Sequence, residues 1–166
     1  MNIYLIGLPA CGKSTCAKEV AKVSKYEYID LDKEIVSTNN MSIPDMFKNG
    51  EDYFRDKETI ELERVSKLNN KIISCGGGIV ERKINKSYMK GLVIYLEAPL
   101  DEIDFRLKRD TSIRPVSNKI NIYDLYNLRK NKYDYFKDIT IKSQIVSNTV
   151  KEILKEANKY EKNFSN

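Results

Sequence analysis

The segment that most constrains this chain is Gly7-Leu8-Pro9-Ala10-Cys11-Gly12-Lys13-Ser14. It fits the pattern G-x-x-x-x-G-K-[ST], and it lies between a short apolar run, Asn2–Ile6, and a helical pattern that opens at Lys13. A strand, a glycine-containing turn and a helix N-terminus in that order make a phosphate cradle. The glycines let the backbone curl so that N–H groups point inward, and the helix end adds partial positive charge. This reading sets a nucleoside triphosphate against Gly7, Ala10, Cys11, Gly12, Lys13, Ser14 and Thr15. Lys13 reaches the β- and γ-phosphates and Ser14 serves Mg²⁺. An ordinary glycine turn with a chance lysine would have to meet every defined position in the right context. The motif says nothing of the acceptor.

The rest of the chain repeats the alternation. Residues 2–6, 26–29, 71–74, 92–96 and 139–142 are short, mostly apolar, strand-like runs, as parallel strands covered on both faces should be. Residues 13–24, 53–68, 100–109 and 123–135 carry helical patterns, and Val146, Val150, Ile153, Leu154 and Ala157 mark a closing helix. The expected fold is a three-layer α/β/α sandwich of the P-loop NTPase type, with a five-stranded parallel sheet and right-handed crossovers. Residues 1–166 form one domain in this reading. Two stretches fit neither period and read as insertions over a site: about 33–60, on the substrate side, and a lid at about 111–121. Residues from 161 onward read as a frayed tail.

Composition narrows the chemistry. There is no histidine among the 166 residues, which excludes any scheme needing a histidine base or histidine zinc ligands. The three cysteines, Cys11, Cys16 and Cys75, match no zinc or disulfide spacing and read as reduced thiols of a cytoplasmic protein. No apolar run approaches the roughly 20 residues that span a bilayer, and the short apolar N-terminus lacks the basic flank of a signal peptide. A net charge of +5 suits a site for small anions. No basic run interleaved with aromatics marks a nucleic-acid surface.

Beyond the loop, Asp30-Leu31-Asp32 falls where the second strand should end. Alternate residues of an extended segment project alike, so both carboxylates are expected to face the site, one toward Mg²⁺ and one toward the acceptor hydroxyl. A helix N-cap ahead of Lys33 accounts for the spacing equally well. Arg55 and Glu58 sit one helical turn apart, a pattern that a surface ion pair also explains. Gly76-Gly77-Gly78 follows the third strand, as a tight turn or as room for a close ligand. Arg114, before Pro115, lies in the lid stretch, and Arg129 stands four residues before Tyr133. Singly, each arginine is an ordinary surface residue.

Taken in order, the set resembles the shikimate kinase family. The phosphate loop is followed by Asp-x-Asp, by Gly50-Glu51 with Phe54-Arg55-x-x-Glu58, by the triple glycine, by Arg114-Pro115, and by Arg129-x-x-x-Tyr133. The likeness runs from about residue 2 to residue 155. It implies Mg²⁺-dependent transfer of the ATP γ-phosphoryl group to the 3-hydroxyl of shikimate, in aromatic amino acid biosynthesis, by a monomer with no nucleic-acid or membrane partner. It implies Ser14 and Asp30 at the metal, Asp32 at the acceptor hydroxyls as candidate base, and Lys13 and Arg114 on the phosphates. Arg55 and Arg129 would clamp the carboxylate, Glu58 would orient Arg55 and a hydroxyl, and Gly76, Gly77 and Gly78 would approach the ring. Departures are Leu8-Pro9, Val116-Ser117 after Arg-Pro, and Lys130 after Arg129. Either Arg106 or Arg109 suits the adenine side. The rivals are a gluconate kinase-like enzyme and a non-catalytic nucleotide- or nucleic-acid-binding module.

Overall fold

The computed structural model describes residues 1–109, 120–143 and 145–164. Five strands, β1 (Asn2–Ile6), β2 (Glu27–Asp30), β3 (Lys71–Ser74), β4 (Gly91–Glu97) and β5 (Ile139–Lys142), form one sheet in the order β2-β3-β1-β4-β5. All four pairings are parallel, with Tyr4 opposite Ile73 and Val93 at the centre. Every residue of β1 is buried, which fits its central place and the apolar run Ile3–Ile6 that follows Asn2. The edge strand β2, Glu-Tyr-Ile-Asp, is only partly covered and begins one residue later than expected.

Helices cover both faces. Helix α1 (Lys13–Lys22) packs beside the long α8 (Val146–Phe164). On the other side lie α4 (Glu51–Ser66), the short α5 (Asn85–Tyr88) and α7 (Ile122–Phe136), with α6 (Leu100–Arg109) against α7. Tyr95 of β4 stacks on Tyr133 of α7 at a centroid distance of 5.0 Å, at an angle of 10°.

Two expectations change. The stretch after β2 is two helices rather than a patternless insertion: α2 (Leu31–Asn39) and α3 (Ile43–Lys48), both packed on α4. Asn40 ends α2 at φ 48°, and Ser42 caps α3 by accepting from the Asp45 N–H at 3.2 Å. The supposed tail is also helical to Phe164. Glu161 holds Lys25 at 2.7 Å and accepts from the Tyr26 hydroxyl at 2.9 Å, which anchors that end of α8 to the turn before β2. Most of the lid stretch, with Arg114, lies outside the described residues.

Candidate active site

The carboxyl ends of β1, β2 and β3 and the first turns that follow them wall a cleft of about 990 Å³. Open parallel sheets bind ligands at that end. One end of the cleft belongs to the phosphate loop. Gly12 caps α1 at φ 102°, a left-handed value at which a side chain is strained, so the loop can turn directly into the helix. Lys13 is 7% exposed and folds back over the loop, donating to the carbonyls of Gly7 at 2.9 Å and Leu8 at 2.7 Å. Ala10, Gly12, Lys13, Ser14 and Thr15 line the cleft, while Gly7 and Cys11 do not. Gly7 is packed so closely that a Cβ would lie 2.6 Å from the Leu96 carbonyl oxygen, and Cys11 is wholly buried beneath the loop.

The first candidate pair is arranged differently from the extended Asp-x-Asp expected. β2 ends at Asp30, whose Oδ1 accepts from the Lys33 N–H at 3.3 Å and caps α2. Asp32 is already inside α2. Both nevertheless line the cleft, because the first turn of α2 opens onto it. Ser14 Oγ lies 3.0 Å from Ser74 Oγ at the end of β3, and the Tyr28 hydroxyl donates to Asp30 Oδ2 at 2.9 Å. Ser74 was not anticipated from sequence, since nothing distinguishes one serine at a strand end. Among the described residues no group of three or more His, Cys, Asp or Glu forms a metal cage. A few hard oxygens beside a phosphate loop are what Mg²⁺ takes when phosphates and water supply its other ligands, so Ser14 and Asp30 fit that ion.

At the other end the acceptor candidates meet. Arg55 is 4% exposed, Glu58 1% and Arg129 3%, so none of the three is an ordinary surface residue. Arg55 Nη1 donates to Glu58 Oε2 at 2.8 Å, and its Nη2 and Nε reach Glu51 Oε1 at 3.2 and 3.3 Å. Its guanidinium also lies over the rings of Phe54 and Phe47, at 5.1 and 5.9 Å. The other oxygen of Glu58, Oε1, is buried with no hydrogen-bond partner among the described residues. Burial pushes the Glu58 carboxyl up to about 7, against the pull of Arg55.

The three glycines admit the site's own side chains. A Cβ on Gly76 would lie 2.8 Å from Asp32 Oδ1 and 3.2 Å from Glu58 Oε1, and one on Gly77 would meet Pro9 at 3.0 Å. A Cβ on Gly78 would collide with the Arg55 guanidinium. Tyr133 donates from its hydroxyl to the Gly77 carbonyl at 2.6 Å, fixing α7 to this loop. Arg129, one turn earlier on α7, donates from Nε to Glu81 Oε1 at 2.7 Å, and Lys132 pairs with Glu81 Oε2. Glu81 also escaped the sequence reading. Of the two adenine-side candidates, Arg106 lines the cleft and donates to the Ala10 carbonyl at 3.0 Å, while Arg109 lies over the Phe105 ring.

The chain is similar to proteins of known family and structure. The sequence profile of the shikimate kinase family matches residues 9–158. A shikimate kinase from Clostridium botulinum strain Eklund 17B is 37% identical over 162 residues, covering 95% of each chain. The structure of a shikimate kinase from Acinetobacter baumannii in complex with shikimate superposes with a TM-score of 0.81 at 27% identity, over 92% of this chain and 90% of that one. A gluconokinase from Sinorhizobium meliloti shares the fold at a TM-score of 0.63 and 16% identity, over 99% of this chain and 95% of that one.

Proposed function

The chain belongs to the shikimate kinase family, and from that premise we propose that it transfers the γ-phosphoryl group of ATP to the 3-hydroxyl of shikimate. One observation carries the assignment: Arg55, Arg129, Glu58 and Asp32 converge at one end of the cleft whose other end is the phosphate loop. Two buried guanidinium groups suit the acceptor's carboxylate, and the unpartnered Glu58 Oε1 suits one of its hydroxyls.

The transfer needs little covalent help from the protein. The acceptor oxygen forms a bond to the γ-phosphorus, the bond from that phosphorus to the bridging oxygen breaks, and ADP leaves. Asp32, beside Gly76 and next to Glu58, takes the hydroxyl proton. Lys13 exchanges its two loop carbonyls for the phosphates and meets their growing charge. Arg106 stands at the nucleotide end, and Arg114 is assigned to the phosphates from sequence alone. Mg²⁺, held through Ser14 and Asp30, would neutralise phosphate charge when bound. The enzyme is proposed to work as a cytoplasmic monomer on small molecules only.

A coupled ADP-release assay against shikimate, gluconate and nucleoside monophosphates tests this. Shikimate should be the acceptor, and Arg129→Lys should raise its KM about tenfold or more while barely moving the ATP Kd, because an ammonium cannot fork onto a carboxylate. Gluconate turned over as readily as shikimate would overturn the assignment in favour of a sugar kinase.

A further inference from the structure

The residue that meets Arg129 was not among the candidates. Glu81 ends a 3₁₀ turn (Ile79–Glu81) that grows directly out of the triple glycine. Its N–H donates to the Gly78 carbonyl at 2.9 Å, so its backbone is tied to the loop at the acceptor end. The turn is itself pinned, because buried Asn85 donates to the Ile79 carbonyl at 2.8 Å and accepts from Thr59 of α4 at 2.8 Å. The Glu81 side chain, 22% exposed, spans from there to α7, with one oxygen on Arg129 Nε and the other on Lys132. Burial, the largest single influence on its carboxyl, acts to raise the pKa, but the hydrogen bonds and charges of Lys132 and Arg129 together hold it below the ordinary carboxylate range.

The atom used on Arg129 matters. The bond to Glu81 engages Nε, and among the described residues no carboxylate accepts a hydrogen bond from the two terminal nitrogens. A guanidinium fixed along its Nε edge can turn only its remaining donors to a ligand, and Arg129 lines the cleft. Glu81 is also shared. Its charge answers Lys132 as well as Arg129, so the cluster of two cations and one anion keeps a positive excess beside the cleft.

We propose that Glu81 is a positioning residue for acceptor specificity: it holds Arg129 by the Nε edge, at a height set by the triple-glycine loop, so that the terminal pair meets the acceptor's carboxylate. This rests on the assignment of shikimate as acceptor. Position and charge are separable by two mild substitutions. Glu81→Gln keeps the length and an oxygen for the Nε–H but drops the charge. Glu81→Asp keeps the charge but withdraws the oxygen by one methylene.

The measurements are KM and kcat for shikimate and for its methyl ester, with the ATP Kd, for wild type and both variants. Positioning predicts a shikimate KM raised about tenfold in Glu81→Asp. It also predicts a value within about twofold of wild type in Glu81→Gln, with the ester and ATP constants unmoved in both. The opposite ranking, with Asp silent and Gln impaired, would overturn the proposal in favour of a purely electrostatic role. Constants for ester, shikimate and ATP worsening together with Tm would overturn it in favour of a structural role, and so would two silent variants. A wild type inactive on shikimate would bring down the functional assignment first, and this inference with it; an active wild type with two silent variants would bring down this inference alone.

Discussion

Glu58→Gln should remove a pH-dependent loss of stability from the ligand-free protein. The Glu58 carboxyl is 1% exposed, receives one hydrogen bond from Arg55, and leaves Oε1 without a partner among the described residues. Burial is the largest influence on it, and the net result of all its neighbours is a pKa raised from 4.5 to about 7. The Arg55 charge and hydrogen bond oppose that rise, the Asp32 charge adds to it, and Arg129 opposes it more weakly. Between those two values the native protein holds a proton that the unfolded chain has released. Stability therefore falls as pH rises through the window, because the native state binds more protons there. From 4.5 to about 7, at about 1.4 kcal/mol per pH unit, the loss comes to about 3 kcal/mol. The carboxamide keeps the shape and does not titrate. Urea denaturation of both proteins from pH 4.5 to 8, without nucleotide, isolates the effect, since other titrating groups cancel in the difference. The stability of wild type minus that of Glu58→Gln should drop by about 3 kcal/mol across the range. A difference that stays flat, or grows with pH, would show that the Arg55 ion pair outweighs burial.

Three further outcomes are expected. Lys13→Ala should lower kcat by about a hundredfold or more with a native circular dichroism spectrum, since the lost contact strengthens toward the transition state; normal turnover by the folded variant would refute its role. Asp32→Asn should lower kcat by about a hundredfold or more, and capping offers no escape because Asp30 caps α2; activity within a few-fold of wild type would remove Asp32 as the base. Gly78→Ala should raise the KM for shikimate about tenfold and lower Tm, because the added Cβ displaces a buried guanidinium that Glu58 and Glu51 hold in place; an unchanged KM would mean that Arg55 does not touch the acceptor.

The sheet was legible because its inner strands need no partner information. Ile3 to Ile6 and Leu92 to Leu96 are buried on both faces and therefore read as plain apolar runs. β2 shows the limit of that signal: at the edge its burial is partial, and its start shifted by one residue. The helices α2 and α3 were missed for a different reason. Each is short, and their buried residues, Leu31, Ile35 and Met46, find cover on α4, so their stability is tertiary and leaves a weak trace in local periodicity. The end of α8 was underestimated likewise, since Glu161 is held by Lys25 and Tyr26, more than a hundred residues away in the chain.

In the site, the residues proposed to touch a ligand were easier to read than those that balance them. With Glu58 alone to balance one of them, two arginines in one pocket would repel each other until an anion bound. The structure supplies a carboxylate to each: Glu58 and Glu51 to Arg55, and Glu81 to Arg129. Glu81 stands 48 residues from Arg129 and next to Arg82, so no helical or strand spacing could connect the two. Repulsion therefore does not argue for an anionic acceptor. Geometry does, through the donors left over. Glu51 is 55% exposed and contributes little to holding Arg55 in water, so an acceptor carboxylate can replace it at small cost, while buried Glu58 stays. On Arg129 the acid is on Nε, and among the described residues no carboxylate takes the terminal nitrogens. In the proposed function, preference for a carboxylate then comes from two guanidinium groups fixed in advance by Glu58 and Glu81, and the ordering cost is met in folding rather than at binding.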